Sequence, residues 1–278
     1  MKNQTAPSEP RIVIYSAIFG GYDAVFPIKR KDRNVDYVLI SDSDLPRGSG
    51  WTAHPEPGEI GTFDTAEKNR WCKFFPHRMF PDHDLSIYID GNIQLLNPVG
   101  ELVTAFRTQG ADIGLFRHPE RTSLSEELDA CLALGKLSVE AADLVSERMK
   151  DYETPDGPPR TPFTENGIIF RDHSAPHLDA TMSLWWEEFH RVRRDQIALP
   201  WVLQQSRSKV AIWEWSYRNP NVWFLGPIIP HLGNLPPGLA GRIKLFLKHQ
   251  KLRHRHSRAV REFDRQTAAT DFFDGATP

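Results

Sequence analysis

Residues 84–93 read Asp-Leu-Ser-Ile-Tyr-Ile-Asp-Gly-Asn-Ile, and no other stretch limits the fold as tightly. Leu85, Ile87 and Ile89 alternate with Ser86 and Tyr88, the period of two that marks a strand. The apolar character of the run predicts a sheet covered on both faces. The strand stops at Asp90-Gly91-Asn92, where Gly91 permits a tight turn between two oxygen-bearing side chains. A carboxylate and an amide two residues apart at the carboxyl end of an α/β strand can point into one crevice, the usual place for ligands in such sheets. Oxygens of this kind suit Mg²⁺ or Mn²⁺, which leave their remaining positions to phosphates and water. Taken alone, the same tripeptide is also an ordinary Asp-Gly turn.

The flanking sequence supplies the rest of a sheet. Residues 11–18 read as a buried first strand running into Phe19-Gly20-Gly21-Tyr22-Asp23, a glycine turn at the same kind of edge. Residues 35–40 form a second strand, ended by Ser41-Asp42-Ser43-Asp44, whose acceptors can hold a ribose or cap a turn. A Gly- and Pro-rich surface loop is expected over 48–61. A helix is expected over 65–77, where Arg70 and Lys73 lie close enough to meet a diphosphate or to form a solvated cationic face.

Beyond Asn92, a helix over 98–108 and a strand over 111–116 lead to two helical patterns at 123–137 and 139–152. The first of these opens on a Ser-x-x-Glu capping box, Ser123 to Glu126. A proline-rich loop covers 155–162. A strand from Thr164 carries Glu165 and Asn166 at its start, and helices follow over 175–191 and from Asp195-Gln196 to 205. Asp195 can cap that helix or, with Gln196, hold sugar hydroxyls. A last strand at 222–225 precedes a lone histidine, His231, which is structural or a ligand for a borderline metal such as Mn²⁺. Tryptophans at 185, 186, 201, 213 and 215 are core residues or sugar platforms.

Charge divides the chain unevenly. Between Arg242 and Arg265 nine Lys or Arg stand against Glu262 and Asp264, a net +7 that leaves −9 for the remainder and −2 in total. That total excludes a globally basic nucleic-acid binder. The basic segment, with Ile243, Leu245, Phe246 and Leu247 interleaved, fits either an anionic membrane surface or a solvated helix. Two cysteines supply neither a disulfide scaffold nor a Cys-rich zinc site, so reduced thiols are expected. No run has the length of a membrane span, and the start does not resemble a secretory signal. The expected organisation is a flexible tail at 1–10, one domain at 11–235, a basic helical segment at 236–265 and a disordered tail at 266–278. A cytoplasmic location follows, with peripheral attachment to the inner membrane face through the basic segment.

Several stretches taken in order carry a resemblance: Ile18 to Asp23, Ser41-Asp42, Trp51, Arg70 to Lys73, Ile87 to Asn92, His118 to Arg121, Thr164 to Gly167 and Arg194 to Gln196. The series resembles the glycosyltransferase-like domain family that includes plant mucilage and turgor-related proteins and bacterial polysaccharide proteins. The resemblance covers roughly residues 11–235 and implies a GT-A-like fold, a central mostly parallel α/β sheet flanked by helices in a single domain; the basic C-terminal helix lies outside it. It further implies a metal-dependent transferase moving a sugar from a nucleotide-diphosphate donor, UDP-linked or alternatively GDP-linked, to a cell-surface glycan or lipid-linked acceptor.

In that reading Asp90 and Asn92 stand where such enzymes place an Asp-x-Asp motif. They would hold Mn²⁺ or Mg²⁺ with His231 as third ligand. Phe19, Gly20, Tyr22, Asp42, Arg70, Lys73, Asp90 and Asn166 would bind the donor, and Glu165, Asp195 and Gln196 would serve the chemistry. Asn in place of the second Asp removes one negative charge, which favours the competing reading of a non-catalytic sugar-nucleotide or glycan binder. A third reading, a lipid amidase-type hydrolase, lacks support from a Gly-x-Ser-x-Gly elbow or a His-Glu-x-x-His motif.

Overall fold

Strands that are apolar at nearly every position need a layer on each face, and a computed structural model of the chain supplies both. It describes residues 10–152, 162–228 and 231–267. In chain order these form β1 (Ile12–Ile18), β2 (Val35–Ser41), β3 (Thr52–His54), α1 (Thr65–Phe74), α2 (Pro76–Met79), β4 (Leu85–Ile89), β5 (Gln94–Leu95) and α3 (Gly100–Thr108). Then follow β6 (Ile113–Arg117), α4 (Leu124–Ala133), α5 (Val139–Lys150), β7 (Thr164–Asp172), α6 (Leu178–Val192), α7 (Asp195–Gln205), β8 (Val210–Trp213), β9 (Phe224–Leu225) and α8 (Leu239–Thr267).

Seven strands make one sheet in the order β3-β2-β1-β4-β7-β6-β8, and β5 pairs with β9 beside it. Neighbours are parallel except around β7, which runs antiparallel to both β4 and β6. The architecture is therefore the mostly parallel, helix-flanked α/β sheet expected. β4 is buried at every position. On one face Val13, Tyr15, Ala17 and Tyr88 pack against α1, α6 and α7; on the other Ile14, Ile87 and Ile89 pack against α3 through Val103 and Phe106. The period of two thus assigns each side chain of β4 to a layer, and it places Asp90, two residues past Tyr88, on the α1 side.

α1 is anchored at both ends. Asp64 accepts from the backbone of Glu67 at 2.8 Å while Glu67 accepts from the backbone of Asp64 at 3.2 Å, a complete capping box that the sequence reading did not single out. Arg193, closing α6, donates to Glu67 at 2.6 Å and Asp64 at 2.9 Å. Phe74 stacks on Trp185 of α6 at 4.1 Å between centroids. Trp185 and Trp213 are core residues in this fold, and Trp201 stacks on the buried Tyr152.

Several local expectations are corrected. Residues 48–61 are not one loop: Thr52–His54 extends the sheet in parallel beside β2, and a 3₁₀ turn covers Gly58–Ile60. β8 was not expected at all. The capping box expected at Ser123 is half formed, because Ser123 accepts from Glu126 at 3.3 Å whereas the Glu126 carboxylate turns to the Thr122 backbone at 2.6 Å. The N-terminal tail up to residue 9, the proline-rich stretch at 153–161 and residues 268–278 lie outside the described residues, and α8 continues to Thr267.

Candidate active site

Parallel strands deliver their carboxyl ends to one edge, so the segments following β1, β2 and β4 converge there, and β7 starts there because it runs the other way. The chain steps from β1 outward to β2 and then back across to β4 on the other side of β1. In open α/β sheets such a reversal is where a ligand crevice usually lies.

The segment after β1 is a two-glycine turn. Gly20 and Gly21 have φ of +63° and +58°, and Tyr22 donates to the Phe19 carbonyl at 3.3 Å, the pattern of a type I′ turn. Asp42, at the end of β2, accepts from the Gly20 backbone at 2.7 Å and so fixes the turn. Phe19 is buried beneath it. The half-exposed ring of Tyr22 stacks on His231 at 4.3 Å, and Nδ1 of His231 lies 2.6 Å from the Asp23 carboxylate.

α1 brings its cations to the β4 end. Lys73, on the buried side of the helix, donates to Asp195 at 2.8 Å and lies 3.6 Å from Asp90. Arg70 lies 3.5 Å from the other oxygen of Asp195. Burial of the Asp195 carboxyl opposes its charge, but Arg70, Lys73 and Arg194 outweigh that and hold it well below the usual carboxylate range. Asp195 is the first residue of α7 and not its cap, and its role is that of counter-ion to both cations. Gln196, beside it, reaches the Thr164 carbonyl at 3.4 Å.

Two glycines let the segments close. A Cβ on Gly91 would lie 2.8 Å from Ile18 and 2.9 Å from the Cβ of Asp23; its small size, and not a left-handed conformation, is what the site uses. A Cβ on Gly167 would collide with the Tyr217 hydroxyl and lie 2.9 Å from Ile93 and 3.1 Å from the Asp90 carboxylate. Gly167→Ala is therefore expected to cost about 1–3 kcal/mol by overpacking and to displace Asp90, read as a lower denaturant midpoint.

The start of β7 holds a second cluster. Its register against β6 shifts between Gly114 and Phe116, so residues 166–169 bulge and re-aim the side chains before them. Glu165 is fully buried, accepts from Ser216 at 2.8 Å and pairs with Arg218 at 2.7 Å, leaving its second oxygen without a partner. Burial pushes its carboxyl up to about 7 against the pull of Arg218 and Ser216. The amide nitrogen of the buried Asn166 is likewise unpartnered. Deeper in, the fully buried Arg171 donates to the Lys73 carbonyl at 2.6 Å and, with Tyr15, holds the carboxyl end of α1 in place.

The metal expectation rests on donor chemistry alone. Asp90, Asn92 and Asp23 bring hard oxygens to one edge. Burial raises the Asp23 carboxyl, and the charge of Asp90 adds to that while His231 pulls against it. Among the described residues no three His, Cys, Asp or Glu side chains form a preassembled cage. That fits an ion such as Mg²⁺, which takes one or two carboxylates and completes its shell from phosphates. His231 is spoken for at Nδ1 by Asp23, which leaves Nε2 as its only ligand atom.

The sequence reading assigned no role to Asp23, Arg171, Arg194, Tyr217 or Arg218. Asp23 and Arg194 abut assigned residues, and that adjacency was the available signal. Arg171 sat inside a strand, and Tyr217 and Arg218 lie in a loop without periodicity.

Comparison with known proteins gives the chain a family. Residues 62–217 match the family described as TOD1/MUCI70, glycosyltransferase-like domain. The probable hexosyltransferase MUCI70 of Arabidopsis thaliana is 26% identical over 223 residues, covering 72% of this chain and 38% of that protein, so the chain spans under two fifths of the relative's length. Among solved structures, the apo form of the bifunctional glycosyltransferase WbbM aligns at 12% identity and a TM-score of 0.46 over 90% of this chain and 45% of its own. Mouse xyloside xylosyltransferase 1, also apo, aligns at 10% identity and 0.41 over 73% and 84%. With the family match spanning more than half of its residues, the chain belongs to the TOD1/MUCI70 glycosyltransferase-like domain family.

Proposed function

We propose that this chain transfers a hexosyl group from a nucleotide-diphosphate sugar, with UDP as the first base to test and GDP as the second, to a hydroxyl of a glycan or lipid-linked acceptor. The observation that carries the reading is the pair of cations, Lys73 and Arg70, gathered by a buried carboxylate beside Asp90 at the strand-end crevice. Cations fixed in a partly dry site stabilise the charge that develops on a departing diphosphate more than they would in water. Asp195 holds both of them in place, and the same cations, by holding its carboxyl well below the usual range, make it a weak proton acceptor.

The glycine turn and Tyr22 would carry the nucleoside, and Asn166 and Gln196 would face the sugar. Asp90 and Asn92 would hold Mn²⁺ or Mg²⁺, with Nε2 of His231 as third ligand, and the ion would act as a Lewis acid on the diphosphate. In the transfer the bond from the anomeric carbon to the diphosphate breaks and the acceptor oxygen bonds to that carbon. The hydroxyl proton passes to a carboxylate. Glu165, with its carboxyl near 7, suits that role at neutral pH, and Ser216 or Arg218 would have to shift for an acceptor to reach it.

Titration calorimetry with UDP and with GDP, each with and without Mn²⁺, tests this reading. The expected result is Mn²⁺-dependent binding of one nucleotide that Asp90→Ala abolishes; binding of neither, by a folded protein, would remove it. Full burial of Glu165 favours a second reading, a binder of sugar nucleotides without turnover. Release of free nucleotide from the bound donor, followed in the presence of acceptor glycans, separates the two.

A further inference from the structure

The helix that ends the described chain, α8, has two faces with different work. One is docked. Leu245 is buried, His249 bonds to the Gln94 side chain at 2.8 Å, and His256 bonds to the Asn221 carbonyl at 2.7 Å. These positions lie on one side at helical spacing, and they fix α8 against β5 and β9.

A second face, turned about 130° from the first, is apolar and uncovered. Leu239, Ile243, Phe246 and Leu247 are 73%, 49%, 58% and 57% exposed. At 100° per residue they fall within an arc of about 100°. Basic residues border that stripe on both flanks, Arg242 and Arg253 on one side and Lys244, Lys248, Lys251 and Arg255 on the other. Among the described residues none of these six pairs with a carboxylate. Among the described residues no helix is long and apolar enough to cross a membrane. A stripe of large apolar side chains between two cationic borders matches a surface that is apolar within and anionic at its rim.

We propose that α8 lies along an anionic lipid surface, with Ile243, Phe246 and Leu247 entering the boundary between headgroups and acyl chains and the flanking Lys and Arg meeting lipid phosphates. A second copy of the chain fits less well, because two such faces would bring like charges together. A nucleic acid fits less well because the centre of the face is apolar. The placement has a consequence for the crevice. β5 follows Asp90-Gly91-Asn92 directly, and α8 begins eight residues after His231, so a membrane under α8 runs beside the candidate site and would present acceptors attached to lipid. The docking itself does not rest on the transferase reading, since vesicle binding is measured without substrate.

Flotation of the full chain with vesicles of phosphatidylcholine alone or mixed with phosphatidylglycerol tests it. The chain is expected to float with the mixed vesicles and not with the neutral ones. Lys244→Gln, Lys248→Gln and Lys251→Gln together lower partitioning about 100-fold, at roughly a factor of five per cation. Ile243→Ser, Phe246→Ser and Leu247→Ser together lower it at least about tenfold even where the charges are kept. Circular dichroism and the thermal midpoint confirm that each variant folds, and the charge variant, confined to solvated side chains, carries the test if the serine variant does not. Parent protein left at the bottom of the gradient with mixed vesicles would overturn the proposal. So would variants that float like the parent, or a concentration-dependent doubling of mass in light scattering that the serine variant abolishes, which would assign the stripe to a second copy.

Discussion

Asp195→Asn is expected to lose about 3–5 kcal/mol of unfolding free energy, because it leaves the ammonium of Lys73 and the guanidinium of Arg70 beside a neutral amide in a dry site. Lys73 and Asp195 are 2% and 4% exposed, so water cannot replace the lost charge without opening the packing of α1 on α7. Denaturant melts at pH 7 read the loss, and a change below about 1 kcal/mol would mean that the pair is not the counter-charge described. The dependence on pH has a definite sign. The folded carboxyl is held below its ordinary value, so the stability it confers is present above about pH 4 and is lost as the pH falls further. Asp195→Asn should flatten that acid limb.

Removing both partners separates architecture from chemistry. Replacing a buried pair by apolar side chains of similar size is often neutral, whereas removing one partner is not. Lys73→Met with Asp195→Leu is therefore expected to regain the share of the loss that falls on Lys73, while Arg70 keeps only the charge of Asp90. The nucleotide binding proposed above should not return with it, since Lys73 no longer reaches toward Asp90. A double variant as unstable as the single one would assign the cost to packing and not to charge.

How far the site could be read in the sequence follows from how local each signal is. β4 and its terminal Asp90 were legible because a period-two apolar run ends abruptly in residues that turn. The same held for β1, with its double glycine, and for the helix carrying Arg70 and Lys73. What joins these pieces is not local. Lys73 and Asp195 are 122 positions apart, and a carboxylate at a helix start reads as a capping candidate until the buried lysine opposite it is known. The direction of β7 leaves no mark in its composition, since a strand buried on both faces is apolar whichever way it runs; yet that direction is what brings Glu165 and Asn166 to the edge where β4 ends. β3 escaped notice because its Thr, Ala and His pattern at the exposed margin of the sheet is polar. Gly91 was read as a turn former and serves as a point of close approach to Ile18 and Asp23, a role decided by two segments distant from it in sequence.

Glu165 offers the other large effect, and its sign is the reverse of that at Asp195. Its carboxyl is raised from an ordinary value of 4.5 to about 7, chiefly by burial, with Arg218 and Ser216 pulling the other way and Glu120 adding to the rise. A carboxyl raised on folding confers stability that is complete below about pH 4.5 and is lost as the pH climbs through 7, amounting to about 3 kcal/mol across that window. Several histidines oppose this in the whole protein, the buried His118 and the half-buried His173 most strongly. Burial holds His118 at about 3 and His173 at about 4, so both favour the folded state increasingly as the pH rises toward 6.5. The informative quantity is thus the difference between the parent and Glu165→Gln, measured by urea unfolding from pH 4.5 to pH 8, in which the histidines cancel. That difference should change by about 3 kcal/mol over the window, with the parent losing stability relative to the variant as the pH rises. Parallel profiles would show that Glu165 titrates as an ordinary carboxylate, and the proton-accepting role proposed for it would lose its support.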